Sequence, residues 1–589
     1  MSFLKIIPEI KHFPAEGFDN SRVDVIDIRK VYFHGLYERT VSMPDGSERS
    51  YKAYIPSTAA YGDDSCYVAV PDGVDTAQFL VESGWLDAAE KKENSFILFA
   101  FEPKDQTWGD AETELAYVTR AFADINNKAG GGFRNLVFTS DFNWRWAGYG
   151  RGGEAVMRYA LQNPMLLACL AVAGDLRGID NTALSEAAET CFTNGRWHRY
   201  SEWPNSRIPV PVWLMGCENP TLAEYWKTAN DCSGDGLELR DGVLFRQDPL
   251  SSNLMTFDQK VGEVRLTEKA ENWTDPAMTG RIVRWLQSFS RCGMNSPYGN
   301  MLYPTAPDSS FTRDTILSDG REREWYIKLP SCYDGKTPLP LVIYFHGHGQ
   351  TGLIAMRQGG WWQYGEQKGF ITVCPTGSLP ERTDNQLPLC AWQVAMDRSL
   401  LFKELPKNRG WVGEEDCEIE NRFVRAMLDK LFSQYNIDRS RMYITGQSNG
   451  CFMTQMMSEK GADLFAAAAS TGMPVIVAHT PLPNFILGGE FDICPVTLTE
   501  ELDMQPGEVK DRFREALALR GIDYDSFGHF RNGIFDNLEW RDSEGVPQMR
   551  FCEVHGQAHS WRQNMCKTFW DEWFCRFSRD TETGTIRYE

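Results

Sequence analysis

Short apolar runs alternate with longer segments of helical periodicity along the whole chain. The clearest of these runs are residues 67–70, 95–100, 341–345 and 370–374. Strands separated by helical segments of this length are typical of a parallel sheet covered by helices on both faces. The pattern therefore predicts an α/β fold.

The pattern also repeats. Asp45-Gly46 and Asp319-Gly320 each divide an alternating apolar and polar stretch, which predicts a β-hairpin early in each half. Aromatic residues recur with identical spacing late in each half, as Trp273, Trp285 and Phe289 and then as Trp561, Trp573 and Phe577. A chain of 589 residues is too long for one hydrophobic core. We therefore predict two tandem domains, residues 1–295 and 296–589, joined in the turn-rich segment between Cys292 and Asp308.

A pentapeptide with glycine at both ends stands at the same place in each half. In the second half it reads Gly446-Gln447-Ser448-Asn449-Gly450 and lies between an apolar strand and a helical segment. Glycines two positions before and after a serine let the backbone turn sharply and expose Oγ, as in a nucleophile elbow. Because such a short motif is common by chance, its weight depends on the residues that surround it.

An acid and a base follow the serine in the expected order. Asp492 follows the end of a later strand, with Glu490 as the competing carboxylate, and His559 lies in a late glycine-containing loop that also holds His555. The order Ser448, Asp492, His559 is that of the α/β-hydrolases. In such a triad the histidine takes the serine proton, while the aspartate orients the imidazole and stabilises its charged form.

The loop after the strand at residues 341–345 predicts an oxyanion hole. It contains His346, Gly347, His348 and Gly349, and the backbone N–H near His348 or Gly349 is the first predicted donor. The N–H of Asn449, directly after the serine, is the second. We expect the side chains of His346 and His348 to be structural, because the base comes late in the chain.

Four segments together resemble the polyhydroxybutyrate-depolymerase and feruloyl-esterase group of α/β-hydrolases over most of residues 310–580. They are the run from Pro340 through His346-Gly347, the elbow at residues 446–450, residues 489–492, and residues 538–545 leading to residues 556–561. The chain departs from the group's motifs at Ala558 and Cys451, where glycine is usual, and neither change removes a reacting atom. The resemblance implies a serine esterase that forms an acyl-serine on a small or oligomeric aryl, hydroxycinnamoyl or hydroxyalkanoate ester. Substrate identity does not follow from it.

Tryptophans near this site suggest a pocket. A long polar insertion at residues 377–420 contains Trp392 and Trp411, and Trp361 and Trp362 lie just before it. With Trp561, they could form an aromatic wall for a phenolic or cinnamoyl ester. The alternative is that they are ordinary core aromatics, because tryptophan is usually well buried.

The first half keeps the plan of the site without its chemistry. Its pentapeptide is Gly148-Tyr149-Gly150-Arg151-Gly152, so glycine stands at the nucleophile position. Asn219 and Glu271 stand at the acid and histidine positions. The fold class is therefore α/β with two tandem α/β-hydrolase-like domains, the first catalytically degenerate. This domain is expected to be a packing partner; the alternatives are that its loops complete the active site, or that Arg151 binds a carboxylate or a sugar.

Charge and cysteine content narrow the functional classes to which the protein could belong. With 81 acidic and 60 basic residues, the net charge of -21 disfavours binding to nucleic acid or to a membrane surface. The N-terminus lacks the features of a secretory signal, and the 15 cysteines show no zinc spacing, so we expect a cytoplasmic protein without metal or cofactor. The tryptophan content is compatible with a homodimer. A serine peptidase of prolyl-oligopeptidase type and a non-catalytic binding or scaffold protein are the alternatives to an esterase.

Overall fold

Two large β-sheets, one in each half of the chain, share a strand order in the computed structural model of the protein. The structure describes residues 6–13, 33–59, 63–91, 96–127, 143–190, 204–252, 260–269, 272–292, 301–306, 310–378, 390–394, 414–472, 482–492, 507–559, 561–562 and 564–589. The predicted domain boundary at residues 295 and 296 lies outside them.

The first half begins with hairpin strands and continues with alternating strands and helices. Its elements are β1 (Ile10–His12), β2 (Gly35–Ser42), β3 (Glu48–Ile55), β4 (Asp64–Ala69), α1 (Thr76–Glu82), α2 (Trp85–Ala89), β5 (Phe96–Phe101), α3 (Ala111–Ile125), β6 (Trp144–Tyr149), α4 (Gly150–Gln162), β7 (Cys169–Ala173), α5 (Asn181–Glu189), β8 (Val212–Met215), α6 (Pro220–Ala229), β9 (Leu237–Leu239), β10 (Gly242–Arg246), β11 (Glu263–Thr267), α7 (Pro276–Leu286), β12 (Phe289–Cys292) and β13 (Met301–Pro304).

The second half repeats this succession. Its elements are β14 (Thr312–Ser318), β15 (Arg321–Lys328), β16 (Leu339–Phe345), α8 (Gly352–Gln358), α9 (Trp361–Lys368), β17 (Ile371–Pro375), α10 (Glu414–Gln434), β18 (Ile437–Gln447), α11 (Asn449–Lys460), β19 (Ala467–Thr471), β20 (Asn484–Phe491), α12 (Gly507–Ala518), β21 (Gly528–Asn532), β22 (Phe535–Arg541), β23 (Pro547–Ala558), α13 (Met565–Glu572), β24 (Phe577–Arg579) and β25 (Ile586–Tyr588).

The strand orders of the two large sheets correspond position by position. The first sheet runs β1-β2-β3-β5-β4-β6-β7-β8-β11-β10-β9, and the second runs β14-β15-β17-β16-β18-β19-β20-β23-β22-β21. Apart from β1, every strand of the first sheet has a counterpart in the second. In both sheets the middle strands are parallel and the strands that flank them are antiparallel, and β1 pairs parallel with β2 at the end of the first sheet. The predicted α/β fold is confirmed.

Both predicted hairpins are present. Asp45-Gly46 lies between β2 and β3, and Asp319-Gly320 lies between β14 and β15. Asp319 and Gly320 have φ values of 50° and 72°, which is the conformation of a type I′ turn. The Asp-Gly pair in the sequence is therefore enough to predict the position of the first hairpin turn in each half.

Each sheet is covered on both faces by hydrophobic cores. In the first half, α3, α4, α5 and α6 pack on one face and α1, α2 and α7 on the other. In the second half, α10, α11 and α12 pack on one face and α8, α9 and α13 on the other. Buried parallel strands of this kind carry apolar residues on both faces, which explains the continuous apolar runs in the sequence.

Two further features concern membrane-spanning helices and disulfides. No helix of the described residues combines the length and the hydropathy that crossing a membrane requires. The cysteines within the described residues are free thiols, and several of them, such as Cys66, Cys374 and Cys451, are buried in the cores. Within this part of the chain, the cores rather than disulfides hold the fold together.

Candidate active site

Ser448 lies at a sharp turn between β18 and α11. Its φ of 54° and ψ of -117° are unusual for a residue with a side chain, and such strain persists only where the surroundings enforce it. The Ser448 N–H donates to the Thr471 carbonyl at 2.9 Å, and its carbonyl accepts from the Cys451 N–H at 2.9 Å. The turn is therefore held from the neighbouring strand β19 and from the helix that follows.

The two glycines of the elbow are required by close approach of the backbone. A Cβ at Gly446 would lie 2.2 Å from the Gly450 carbonyl oxygen, and a Cβ at Gly450 would lie 2.0 Å from the Phe345 carbonyl oxygen. Both distances are shorter than non-bonded atoms allow. The elbow thus packs directly against the end of β16, the strand that leads into the predicted oxyanion loop.

Asp492 and His559 are hydrogen-bonded to each other. His559 Nδ1 lies 2.7 Å from Asp492 Oδ1, and the aspartate side chain is fully buried. When Nδ1 donates to the carboxylate, the other ring nitrogen is the one that can accept a proton. Burial by itself would lower the pKa of His559, but the charge of Asp492 and its hydrogen bond outweigh this and raise the pKa above its ordinary value.

Gly472, directly after β19, is the point where the histidine meets the elbow. A Cβ at Gly472 would lie 3.2 Å from His559 Cε1 and 3.3 Å from the Ser448 nitrogen. The imidazole and the elbow backbone therefore pack on the same glycine. Gly472 is not among the predicted site residues; its signal in the sequence is a glycine directly after the small-residue run that forms β19.

The oxyanion loop passes beside the serine, but one predicted donor is engaged elsewhere. A Cβ at Gly347 would lie 3.7 Å from Ser448 Cβ. The Gly349 N–H, however, donates to the Cys390 carbonyl at 2.7 Å. The prediction that Gly349 supplies an oxyanion donor is therefore wrong, and His348 is the remaining candidate on this loop.

Asn449 has the position expected of the second donor. It is the first residue of α11, and the N–H groups of a helix's first turn have no partner within the helix. Its side chain is fixed, because Oδ1 accepts from the Trp392 N–H at 2.6 Å. Trp392 in turn donates from Nε1 to the His346 carbonyl at 3.0 Å. Trp392 thus ties the elbow to the oxyanion loop.

His346 is a structural residue, as expected. Its side chain is buried; Nδ1 lies 2.7 Å from the Gly347 carbonyl, and Nε2 accepts from the Gly377 N–H at 2.9 Å. Burial lowers the pKa of His346 to about 3, so the ring is neutral at physiological pH. A neutral, doubly hydrogen-bonded ring holds the loop, and His559 stays the predicted base.

The predicted aromatic wall is wrong for Trp361, Trp362 and Trp561. Trp361 and Trp561 are buried in the core between the second sheet and α13, where Trp561 Nε1 donates to the Gly359 carbonyl at 2.8 Å. Trp362 packs at the edge of the same core. Trp392 is also buried, on the opposite face of the sheet, and Trp411 lies outside the described residues. Trp361, Trp392 and Trp561 are therefore core aromatics, as in the alternative interpretation, and Trp362 is partly buried against the core.

Glu490 and His555, the alternatives to Asp492 and His559, belong to a separate cluster. His555 Nδ1 lies 3.7 Å from Glu490 and 3.5 Å from Glu553, while Nε2 lies 3.5 Å from Asp536. Atoms of Glu490, Glu553 and His555 lie within 4.8 Å of one another, and a metal ion could use such a donor set. The cluster contains neither partner of the Asp492–His559 pair.

The first half has the shape of an elbow with its side-chain space filled. Gly150, the first residue of α4 and directly after β6, has the same φ of 54° as Ser448. A Cβ at Gly150 would lie 3.2 Å from Trp273 Cη2, so the indole occupies the space a nucleophile would need. Arg151 is exposed and donates to the Gly109 carbonyl.

The predicted acid position of the first half has a structural role. Asn219 Oδ1 accepts from the Leu222 N–H at 3.0 Å and caps α6, while Nδ2 donates to the Ile179 carbonyl at 2.6 Å. Glu271, at the predicted histidine position, lies outside the described residues. Gly150 and Asn219 thus provide neither a nucleophile nor a triad acid.

Similarity to known proteins is concentrated in short stretches. The prolyl oligopeptidase family model matches residues 423–478, which include the elbow. Poly(3-hydroxyalkanoate) depolymerase C of Paucimonas lemoignei is 30% identical over 131 residues, 22% of this chain and 27% of the relative. Acetylxylan esterase A of Emericella nidulans is 32% identical over 113 residues, 19% of this chain and 30% of the relative. The matches span less than a third of either curated relative.

Among solved structures, the acetyl xylan esterase from Aspergillus awamori is similar to part of this chain. The sequence identity is 18% and the TM-score is 0.31; the match covers 45% of this chain and 99% of the esterase. The names of the two curated relatives confirm the predicted resemblance to the depolymerase and esterase group of α/β-hydrolases.

Proposed function

We propose that this relative of the serine-esterase-type α/β-hydrolases cleaves carboxylic esters through an acyl-serine intermediate. The observation that carries the proposal is the 2.7 Å hydrogen bond between buried Asp492 and His559, beside the strained turn at Ser448. The nucleophile, the acid and the base follow β18, β20 and β23, three parallel strands of one sheet, and together they are what acyl transfer requires.

In the first step of the proposed mechanism, Ser448 Oγ attacks the ester carbonyl and its proton passes to His559 Nε2. Asp492 stabilises the imidazolium that forms, because its carboxylate is held at Nδ1 in a buried site. The tetrahedral oxyanion accepts hydrogen bonds from the N–H groups of Asn449 and His348. The partial positive charge at the N-terminus of α11 also favours this anion.

The second half of the cycle reverses these roles. The imidazolium gives its proton to the departing alkoxide, which leaves as the free alcohol while the acyl group stays on Ser448. A water molecule then attacks the acyl carbon and passes its proton to His559. Collapse of the second tetrahedral intermediate releases the carboxylic acid and returns the proton to Ser448.

The proposed substrate is a small or oligomeric ester with a compact acyl group. The names of the curated relatives point to hydroxyalkanoate and acetyl esters. A hydroxycinnamoyl group has less support, because Trp361 and Trp561 lie in the core and Trp362 packs against its edge, so they do not form the aromatic wall that such a group would use. Acetyl and 3-hydroxybutyryl esters are therefore the first substrates to test.

A serine peptidase is the second candidate, favoured by the prolyl oligopeptidase family match over residues 423–478. That segment includes the elbow but ends before Asp492 and His559. A strand, an elbow and a helix are shared by esterases and peptidases of this fold, so the match does not choose the scissile bond. Turnover of a proline-containing amide beside a panel of acetyl, butyryl, feruloyl and 3-hydroxybutyryl esters separates the two candidates.

Labelling with a fluorophosphonate tests the nucleophile directly. The wild-type chain should be labelled at Ser448 and should cleave p-nitrophenyl acetate, and Ser448→Ala should abolish both. Ser458→Ala is the matched control, because it removes a buried hydroxyl from α11, the helix that follows Ser448. This variant should still be labelled and should still cleave the ester. A wild-type chain that is neither labelled nor active on any ester would contradict the proposed function.

A further inference from the structure

A buried ion pair joins the degenerate half to the half with the candidate site. Asp64, at the start of β4, lies 3.1 Å from Arg357 in the last turn of α8, and both side chains are at least nine-tenths buried. Asp64 also accepts from Arg145 on β6. A buried charge is costly unless it is paired. Loss of the Asp64 carboxylate would therefore remove a negative partner from both buried guanidinium groups, those of Arg145 and Arg357.

The charge state of this carboxylate is fixed by its partners. Burial by itself would raise the pKa of Asp64, but the charges of Arg145 and Arg357 outweigh it and lower the pKa below its ordinary value. Asp64 is therefore ionised at physiological pH. The contact between the halves is an ion pair and not a neutral hydrogen bond.

A second buried contact reaches the loop of the candidate base. Tyr303 lies on β13, which pairs with β12 of the first half, and its hydroxyl donates to the Trp561 carbonyl at 3.3 Å. Tyr303 is 1% exposed. Trp561 comes two residues after His559, so this hydrogen bond holds the backbone that carries the imidazole.

Helix α8 connects the two contacts. It begins directly after the oxyanion loop, where the Gly352 N–H donates to Thr376 Oγ1 at 3.0 Å. At its other end, the Gly359 carbonyl accepts from Trp561 Nε1 at 2.8 Å. Helix α8 therefore extends from the oxyanion loop to the loop that carries His559. Its last turn is held by the ion pair between Arg357 and Asp64.

We propose that Asp64 of the degenerate half, and Tyr303 of β13, the strand that pairs with β12 of that half, are positioning residues for the active site in the other half. By holding α8 and Trp561, they fix the oxyanion loop and His559 relative to Ser448. Small displacements of catalytic groups lower the reaction rate by large factors. The contacts of Asp64 and Tyr303 therefore affect kcat as well as the stability of the fold. The role rests on the proposed function, and it gives the degenerate half a part in catalysis beyond packing.

The test uses full-length Asp64→Asn and Tyr303→Phe variants, which keep the shape of each side chain. Glu114→Gln is the matched control, because Glu114 forms a buried ion pair with Arg49 at 2.9 Å within the first half. For each chain we would measure the melting temperature, kcat and KM on p-nitrophenyl acetate, and the rate of fluorophosphonate labelling, at a temperature where every variant is folded.

The positioning role predicts that Asp64→Asn lowers kcat and the labelling rate by about 5- to 50-fold, with KM changed by less than about twofold. Tyr303→Phe should lower kcat by roughly two- to tenfold, since one hydrogen bond is lost. Glu114→Gln should lower the melting temperature without lowering kcat. Adding Arg357→Met to Asp64→Asn removes a guanidinium that has lost its partner, so stability should recover in part while kcat stays low.

Failure of the two proposals can be told apart. If the wild-type chain cleaves esters while Asp64→Asn and Tyr303→Phe keep wild-type kcat and labelling rate, the positioning role is overturned and the proposed function stands. If kcat of Asp64→Asn falls only as far as that of Glu114→Gln, the contact is merely structural and the positioning role is again overturned. A wild-type chain that neither reacts with fluorophosphonate nor cleaves any ester contradicts the proposed function itself.

Discussion

Asp492 Oδ1 lies 2.7 Å from His559 Nδ1, whereas Glu490, two residues earlier, lies 3.7 Å from His555 Nδ1. The two carboxylates are thus assigned to different histidines. The register between β20 and β23 shifts between Gly489 and Phe491, so Glu490 lies within this irregularity and Asp492 directly after it. Local irregularity of one strand therefore decides which carboxylate completes the candidate triad.

Replacing the two carboxylates separately tests this assignment. Asp492→Asn should lower kcat on p-nitrophenyl acetate by roughly 10³- to 10⁴-fold, because an amide neither stabilises the imidazolium nor enforces the productive tautomer. Glu490→Gln is the matched control and should change kcat by less than about threefold, since it faces His555. Steady-state kinetics on both variants decide the point. A larger loss in Glu490→Gln than in Asp492→Asn would contradict the assignment.

The pH dependence of activity should follow His559. Its pKa is raised above the ordinary value of 6.5, and the imidazole must be neutral to accept the Ser448 proton. As the pH rises, kcat/KM should therefore increase with an apparent pKa above 6.5, and activity should be low at acid pH, where His559 is protonated. In Asp492→Asn the remaining activity should have its midpoint at lower pH, because the carboxylate that raises the pKa is gone. A midpoint unchanged in that variant would count against the pair.

The contribution of His559 to folding stability depends on pH in the opposite sense to activity: it decreases as the pH rises. A pKa that is higher in the folded protein means that protonation favours folding. The contribution of His559 is therefore complete at pH values below its unfolded pKa and is lost as the pH rises through the folded pKa. Melting temperatures of wild type and His559→Gln across this interval should converge as the pH rises.

Gly472 should tolerate no side chain without loss of activity. A Cβ at this position would press on both His559 Cε1 and the Ser448 nitrogen, and the φ of 86° adds backbone strain. Gly472→Ala should lower kcat by about tenfold or more through displacement of the imidazole. Gly521→Ala is the control, because its φ of 68° brings similar strain into open space. It should cost only about 1–2 kcal/mol of stability and leave kcat unchanged; equal kcat in the two variants would refute the role of Gly472.

Restoring a serine to the first half should not restore a site. Gly150→Ser would place its Cβ 3.2 Å from the Trp273 indole, with neither Asn219 nor a described histidine to activate it. The Gly150→Ser, Ser448→Ala double variant should therefore not react with fluorophosphonate. Gly73→Ser, with a φ of 74° and open space around it, is the control for backbone strain. Gly150→Ser should be the less stable of the two, as measured by thermal unfolding; labelling at position 150 would disprove the account of this half.

Features set by neighbouring residues could be predicted from the sequence. The Asp-Gly turns, the apolar strands and the glycines around Ser448 all depend on backbone geometry within a few positions. The matching spacing of Trp273 and Trp561 with their neighbours predicted the repeat because a duplicated fold keeps its own periodicity. These local signals were enough for the fold class and for the elbow.

Features set by long-range packing could not be predicted. The Gly349 N–H is taken by Cys390, 41 residues away, and nothing near Gly349 in the sequence signals that hydrogen bond. Trp361 and Trp561 were expected at a pocket, but the face of the sheet on which each lies depends on the whole strand order. The pair of Asp64 and Arg357 joins residues in different halves of the chain and has no sequence motif at all.

Identification of the acyl-enzyme tests the central claim most directly. Wild-type protein mixed with p-nitrophenyl acetate and quenched in acid before steady state should carry one acetyl group on the peptide that contains Ser448, with a burst of p-nitrophenol of matching amplitude. The Ser448→Ala variant should show neither. Turnover of the ester by wild-type protein with no acetyl group on Ser448, or with acetylation of another residue in its place, would contradict the account.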